Sequence, residues 1–162
     1  RTYYRNAGRN THRGIEIGLN HALGSASAFQ MAYTGSDFVF SDTQLSTTAL
    51  GGNRIPGIPV HHIQAALSSM YSGFTGELSV EWVSDMYSDN ENETSNDGYV
   101  VLDLNMGYTS LYVQGVHVWP FLQVSNLLDA QYIGSLVINA FGGRYFEPSP
   151  GRTLQFGVRV DF

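Results

Sequence analysis

Cysteine is absent from the sequence, which excludes a disulfide framework and thiolate metal sites. Lysine is absent as well, and the eight basic side chains are scattered arginines in a chain of net charge -6. Such a balance offers nothing to a nucleic-acid backbone, so nucleic acid is not an expected partner. No apolar run approaches the roughly 18 residues that a membrane helix requires. The chain opens R-T-Y-Y-R, with neither an initiator Met nor the apolar segment of a signal peptide; the expectation is a piece of a longer precursor.

What the chain does have is glycine, tyrosine and phenylalanine in quantity, and alternation. In the last stretch Leu154, Phe156, Val158, Val160 and Phe162 fall on every second residue, with Thr153, Gln155, Gly157, Arg159 and Asp161 between them. That is a strand with two unlike faces. A polar face bearing two charges, opposite an apolar face, suits a transmembrane β-strand with lipid outside and a hydrated lumen inside.

The same pattern recurs upstream. Arg1 to Arg9 reads as the end of an earlier strand and a loop. Thr11 to Leu23 places Ile15, Ile17, Leu19 and Leu23 on one parity, and Gly24-Ser25 turns the chain into a strand from Ala26 to about Phe40. Val60 to Tyr71 alternates Ile63, Ala65 and Leu67 with His62, Gln64 and Ser68. Ser72-Gly73 follows, and the strand from Phe74 sets Leu78, Val80 and Trp82 against Glu77, Ser79 and Glu81. Carboxylates on one strand face are costly in an apolar core but not in a hydrated lumen. Tyr99 to Val113 sets Val100, Leu102, Leu104 and Met106 against Asp103 and Asn105, and Gln114-Gly115 ends it. Val116 to about Ala140 loses its parity near Asn126 to Asp129, where a bulge is expected. Pro120 is tolerable at a strand end or bulge but not in mid-ladder.

Connections alternate between short ones (near residues 24, 72 and 115) and long ones (41–59, 85–98 and 141–151). The middle long loop is acidic and amide-rich, and reads as flexible and solvated. Short turns on one side and long loops on the other are the signature of outer-membrane barrels. A soluble antiparallel sandwich also strings strands together, yet explains neither the strand length nor the carboxylate-bearing faces. The fold class is therefore all-β: an antiparallel up-and-down transmembrane β-barrel segment over residues 1–162.

The segments N-A-G-R-N-T-H-R-G-I-E (Asn6 to Glu16), G-N-R-I-P-G-I-P (Gly52 to Pro59), V-S-N-L-L-D-A-Q-Y (Val124 to Tyr132) and R-Y-F-E-P-S-P-G-R (Arg144 to Arg152) occur in that order. They resemble the C-terminal part of the β-barrel of TonB-dependent outer-membrane receptors. The resemblance implies a 22-stranded barrel, about seven strands of it present here, closed by an N-terminal plug that lies upstream. It implies TonB-dependent active import of a scarce solute, most often a ferric siderophore or similar metal chelate, at the outer membrane of a Gram-negative bacterium. The implied partners are outer-membrane lipid, the plug and remaining strands, the TonB energy-coupling complex and the barrel assembly machinery. The terminal strand with Leu154, Phe156, Val158, Val160 and Phe162 resembles the signal that this machinery reads. Seven strands cannot close alone, and open edges in lipid leave backbone groups unpaired, so this stretch by itself should not transport.

Other chemistry is weighed against this. A passive porin or adhesin is the alternative function. His61-His62 cannot easily chelate one ion, because neighbours on a strand face opposite ways. Asp89, Glu91, Glu93 and Asp97 resemble a calcium loop, but Thr94 stands where a glycine is expected and no glutamate closes it. An outer-membrane hydrolase is the less favoured class, since no nucleophile elbow is present. Catalytic residues, metal ligands and cofactors are thus none. For the solute, Arg144 and Tyr145 are the candidates: a cation beside aromatic rings captures anionic or catecholate groups. The competing role for Arg144 is structural, bonded to Glu147 or a neighbouring strand. The facing expected is Leu102, Leu104, Val158 and Val160 toward lipid, and Glu77, Glu81, Asp103 and Arg159 toward the lumen.

Overall fold

The computed structural model describes residues 8–45, 48–109, 111–144 and 146–161. Its strands are β1 (Gly8–Leu23), β2 (Ser27–Leu45), β3 (Thr48–Ala49), β4 (His61–Tyr71), β5 (Phe74–Val83), β6 (Met86–Tyr87), β7 (Ser95–Asn96), β8 (Tyr99–Tyr108), β9 (Leu111–Val113), β10 (Val116–Ser125), β11 (Ile133–Leu136), β12 (Phe146–Pro148) and β13 (Thr153–Asp161). Seven long strands form one antiparallel path in the order β1-β2-β4-β5-β8-β10-β13. Each neighbour in space is the next long strand in sequence, which is an up-and-down meander.

Turn chemistry fixes the register at one end. Ser72 and Gly73 (φ 49° and 86°) and Gln114 and Gly115 (φ 49° and 91°) are both left-handed pairs. Two positive φ values in succession give the hairpin turn whose twist matches that of the strands.

Cross-strand partners share a face, so the register sorts the side chains. One tier runs Leu19, Met31, Ala65, Val80, Leu102, and the next His21, Phe29, Leu67, Leu78, Leu104, Val124, Leu154. Val158 and Val160 join this apolar face opposite Pro120 and Val118. The other face carries the tier Ala22, Ala28, Ser68, Glu77, Asn105, Gln123, Gln155, with Asp103 opposite Ser79 and Arg159 opposite Trp119. Glu81 lies there too, paired with Gln64. The four apolar positions therefore share one face and the four charged positions the other, as their parity requires.

The apolar face is open: Ile15, Leu67, Leu154 and Phe156 are exposed, the last two at 69% each. Among the described residues no second sheet covers it, as a sandwich would require. Aromatic residues border the face at two heights, Tyr33, His61 and Trp82 at one and Phe74 and Tyr108 at the other. Eight residues separate Phe74 from Trp82, about 26 Å at the usual rise per residue. On strands tilted by about 40° this spans roughly 20 Å of height, on the scale of the apolar band between the interfacial girdles of a membrane barrel.

Several expectations are corrected. The 41–59 connection is not all loop: β2 continues to Leu45, β3 pairs back onto it, and Arg54 bridges Val39. The 85–98 stretch is a folded hairpin of β6 and β7, with Ser88, Asp89 and Asn96 buried. Asp89 is not a solvated carboxylate, because its two oxygens accept the N–H groups of Glu93 and Thr94 at 2.8 Å each. Nor does a strand bulge at Asn126 to Asp129. β10 stops at Ser125, and the chain turns through left-handed Asn126 and Asp129 before β11 pairs with β12.

The bulge sits elsewhere. Between the pairs Gly107–Phe121 and Leu111–Val118 the numbering advances by four on one side and by three on β10. The register against β10 therefore shifts alongside Trp119 and Pro120, between β8 and β9, which divide the predicted strand 99–113. Pro120, without an N–H, thus occupies mid-strand where the ladder is already interrupted.

Candidate functional site: the loop-side rim

Three long connections meet at the end of the sheet remote from the tight turns. Two buried side chains, Phe40 and Leu50, hold the first against β2. Backbone bonds from Phe40 to Asn53 and from Ile55 to Phe38 run this segment back along the strand. Asparagines then join it to the second connection. Arg54 N–H donates to Asn92 Oδ1 at 2.7 Å, and Asn92 Nδ2 donates to the Arg54 carbonyl at 2.9 Å. Asn53 Nδ2 donates to the Asn90 carbonyl, and Gly57 N–H to the Tyr87 carbonyl. The third connection, which runs from the end of β10 at Ser125 to the start of β13 at Thr153 rather than over 141–151 alone, is attached through Asn139, whose Oδ1 accepts the Asn90 N–H while its own N–H donates to the Ser88 carbonyl. An amide side chain presents an acceptor and donors, as a peptide does. The three connections thereby form one continuous lip.

A second set of contacts fixes where the third connection leaves and re-enters the sheet. Asn126 N–H donates to Asp103 Oδ1 at 2.8 Å, and its side chain exchanges bonds with both polar groups of the Ala130 backbone. Asp129 Oδ1 accepts the Arg152 N–H at 2.8 Å, and Arg152 Nη1 donates to the Leu127 carbonyl. The Tyr99 and Tyr132 rings lie 4.4 Å apart. The N-L-L-D-A-Q-Y and P-S-P-G-R segments are therefore two halves of one clasp, a role that spacing alone did not disclose.

Between the polar sheet face and the lip lies a cleft of about 410 Å³, with His62, Glu81 and Tyr99 on the strand side and Met86, Leu136 and Ile138 on the loop side. His62 Nε2 is 2.8 Å from Glu81 Oε1, and Gln64 Nε2 reaches the same oxygen at 3.3 Å. His61 points the other way, against Tyr33 and Trp82. The two imidazoles cannot share an ion.

Arg144 follows a short 3-10 turn, Phe141–Gly143, on the loop that joins β11 to β12. It is exposed, as is Glu147, and among the described residues no ion pair links them. Tyr145 and Phe162 lie outside the described residues.

The sequence matches the family model described as TonB dependent receptor-like, beta-barrel, over residues 1–127. This chain belongs to that family. It is 22% identical over 161 residues to the pesticin receptor of Yersinia pestis, covering 97% of the chain and 23% of that protein. Its fold is similar to that of the ferric yersiniabactin uptake receptor of Yersinia pestis, with TM-score 0.78, 21% identity, and 97% and 24% of the two chains covered. It is likewise similar to a ferric citrate transporter in its unliganded form, with TM-score 0.79, 17% identity, and 95% and 25% covered. The chain thus spans about a quarter of the length of the relatives it matches. The family is one of receptors, not of enzymes. In a TonB-dependent receptor barrel the apolar face meets lipid and the polar face lines the lumen, which puts the cleft inside the rim.

Proposed function

We propose that the protein to which this barrel segment belongs imports a ferric siderophore or similar metal chelate across the outer membrane of a Gram-negative bacterium. The TonB energy-coupling complex would drive import by acting on a plug in the lumen, and the barrel assembly machinery would read the terminal strand, Leu154 to Phe162. The observation that carries the reading is the rim: long connections ordered into a lip above a polar wall, in a chain of a receptor family. Arg144 and Tyr145 are the proposed solute contacts. A guanidinium beside aromatic rings suits anionic chelate oxygens through charge-assisted hydrogen bonds and stacking.

The test is uptake of radiolabelled ferric chelates by cells carrying the full-length receptor, with and without the energy-coupling protein. Uptake that requires coupling supports active import; uptake that persists without it indicates a passive pore. Replacing Arg144 and Tyr145 with alanine should lower uptake at unchanged surface abundance. A matched fall in both would make that loop a structural element instead.

A further inference from the structure

The cleft inside the rim carries one carboxylate, Glu81, and no arginine among its lining residues. Both of its side-chain contacts, from His62 and Gln64, fall on Oε1. Among the described residues none donates to Oε2. The opposite side of the cleft is apolar, formed by Met86, Leu136 and Ile138. A carboxylate lining a cleft, with one oxygen left to accept, repels anions and attracts a cationic donor. Arg144 stands on the same third connection, outside the cleft.

We propose that this cleft receives an ammonium-bearing arm of the solute, with Glu81 Oε2 accepting from the ammonium and the apolar side packing its carbon chain. The proposal rests on the uptake reading and adds a polarity to it. The anionic metal centre lies toward Arg144, and the cationic arm reaches inward to Glu81. His62 and Gln64 are positioning residues, since each holds Oε1 and so fixes where Oε2 points.

The experiment uses the purified full-length receptor and ferric tris-catecholate complexes, whose metal centre is anionic, in pairs identical except that a terminal amine is free or acetylated. Binding is followed by quenching of tryptophan fluorescence. The free-amine member should bind about tenfold tighter, the scale of one charge-assisted hydrogen bond. In Glu81→Gln the two members should bind within about twofold of each other, at unchanged abundance of folded receptor, whereas Arg144→Ala should weaken both alike. Equal binding of the two members by the unaltered receptor overturns the proposal without any variant, and so does a preference retained in Glu81→Gln. Either result leaves the uptake reading standing, whereas failure to bind any ferric complex counts against uptake itself and removes the basis for the inference.

Discussion

Asn92 and Arg54 pair edge to edge: the asparagine side chain accepts the Arg54 N–H at 2.7 Å and returns a bond to its carbonyl at 2.9 Å. Asn92 does this from a left-handed backbone, φ 60°, so it meets both a conformational and a bonding need.

Asn92→Ala should therefore free the first connection from the second. Losing the reciprocal bonds costs roughly 2 kcal/mol locally. Amide hydrogen exchange on the full-length receptor should speed up by about thirtyfold over residues 52–58 while the strands keep their protection. Unchanged exchange there would mean that the lip is held by other contacts.

The clasp makes a second prediction. Asn126→Ala leaves both Ala130 backbone groups without their partner and places alanine at φ 53°. Two lost bonds and a strained backbone suggest about 3 kcal/mol. Receptor abundance in the outer membrane should fall, and it should fall less in Asp129→Ala, which carries the same backbone strain at φ 55° but removes the acceptor of only one N–H.

Phe121 lies across Gly157 on its neighbouring strand, so close that a Cβ on residue 157 would enter the ring. The ring is 37% exposed and can move aside, so Gly157→Ala should cost only about 1 kcal/mol and Gly157→Val more. The shift in heat-induced unfolding on a denaturing gel would measure the series. An equal shift for both variants would show that Phe121 does not pack on the glycine.

Facing can be probed directly by placing single cysteines in the full-length receptor, which this part of the chain otherwise lacks. A membrane-impermeant thiol reagent should label position 81 more readily than position 104, since Glu81 shares the lumen face and Leu104 the lipid face. Labelling of position 104 but not 81 would sink the register.

Removing Phe162 should lower receptor abundance in the outer membrane far more than it lowers binding per assembled molecule. Normal abundance of the truncated receptor would show that the terminal aromatic is not part of what the assembly machinery reads.

The barrel wall was legible because lipid and lumen impose a period of two on every strand that crosses between them. Leu102 and Asp103 must face opposite ways, and their sequence says so. Above the membrane no such demand exists. Ser41, Asp42 and Thr43 continue β2 without an apolar parity, and Asp89 reads as a solvated acid although it is a buried acceptor. The lip is held by asparagine side chains that imitate backbone, and such contacts leave no periodic trace. Resemblance located the N-L-L-D-A-Q-Y motif, whereas only the coordinates explain it through Asn126 and Asp129. Arg144 stands out in the sequence as a cation beside aromatics, whereas Glu81 reads only as lumen-facing and His62 only as half of a pair that cannot share one ion. Their meeting on adjacent strands, beside a loop that arrives from far along the sequence, follows from pairing that no local pattern encodes.

The asparagine-linked lip also bears on the speed and cost of capture. Loops that must fold around a guest give up conformational entropy on binding, at roughly 1 kcal/mol or more for each residue ordered. Here the ordering has already happened when the chain folds, because Asn53, Asn92 and Asn139 tie the connections to one another. A guest entering the rim loses mainly its own freedom. Affinity at this lip should then be set by complementarity to a fixed shape, with selectivity resting on which molecules fit it rather than on how far the loops can bend.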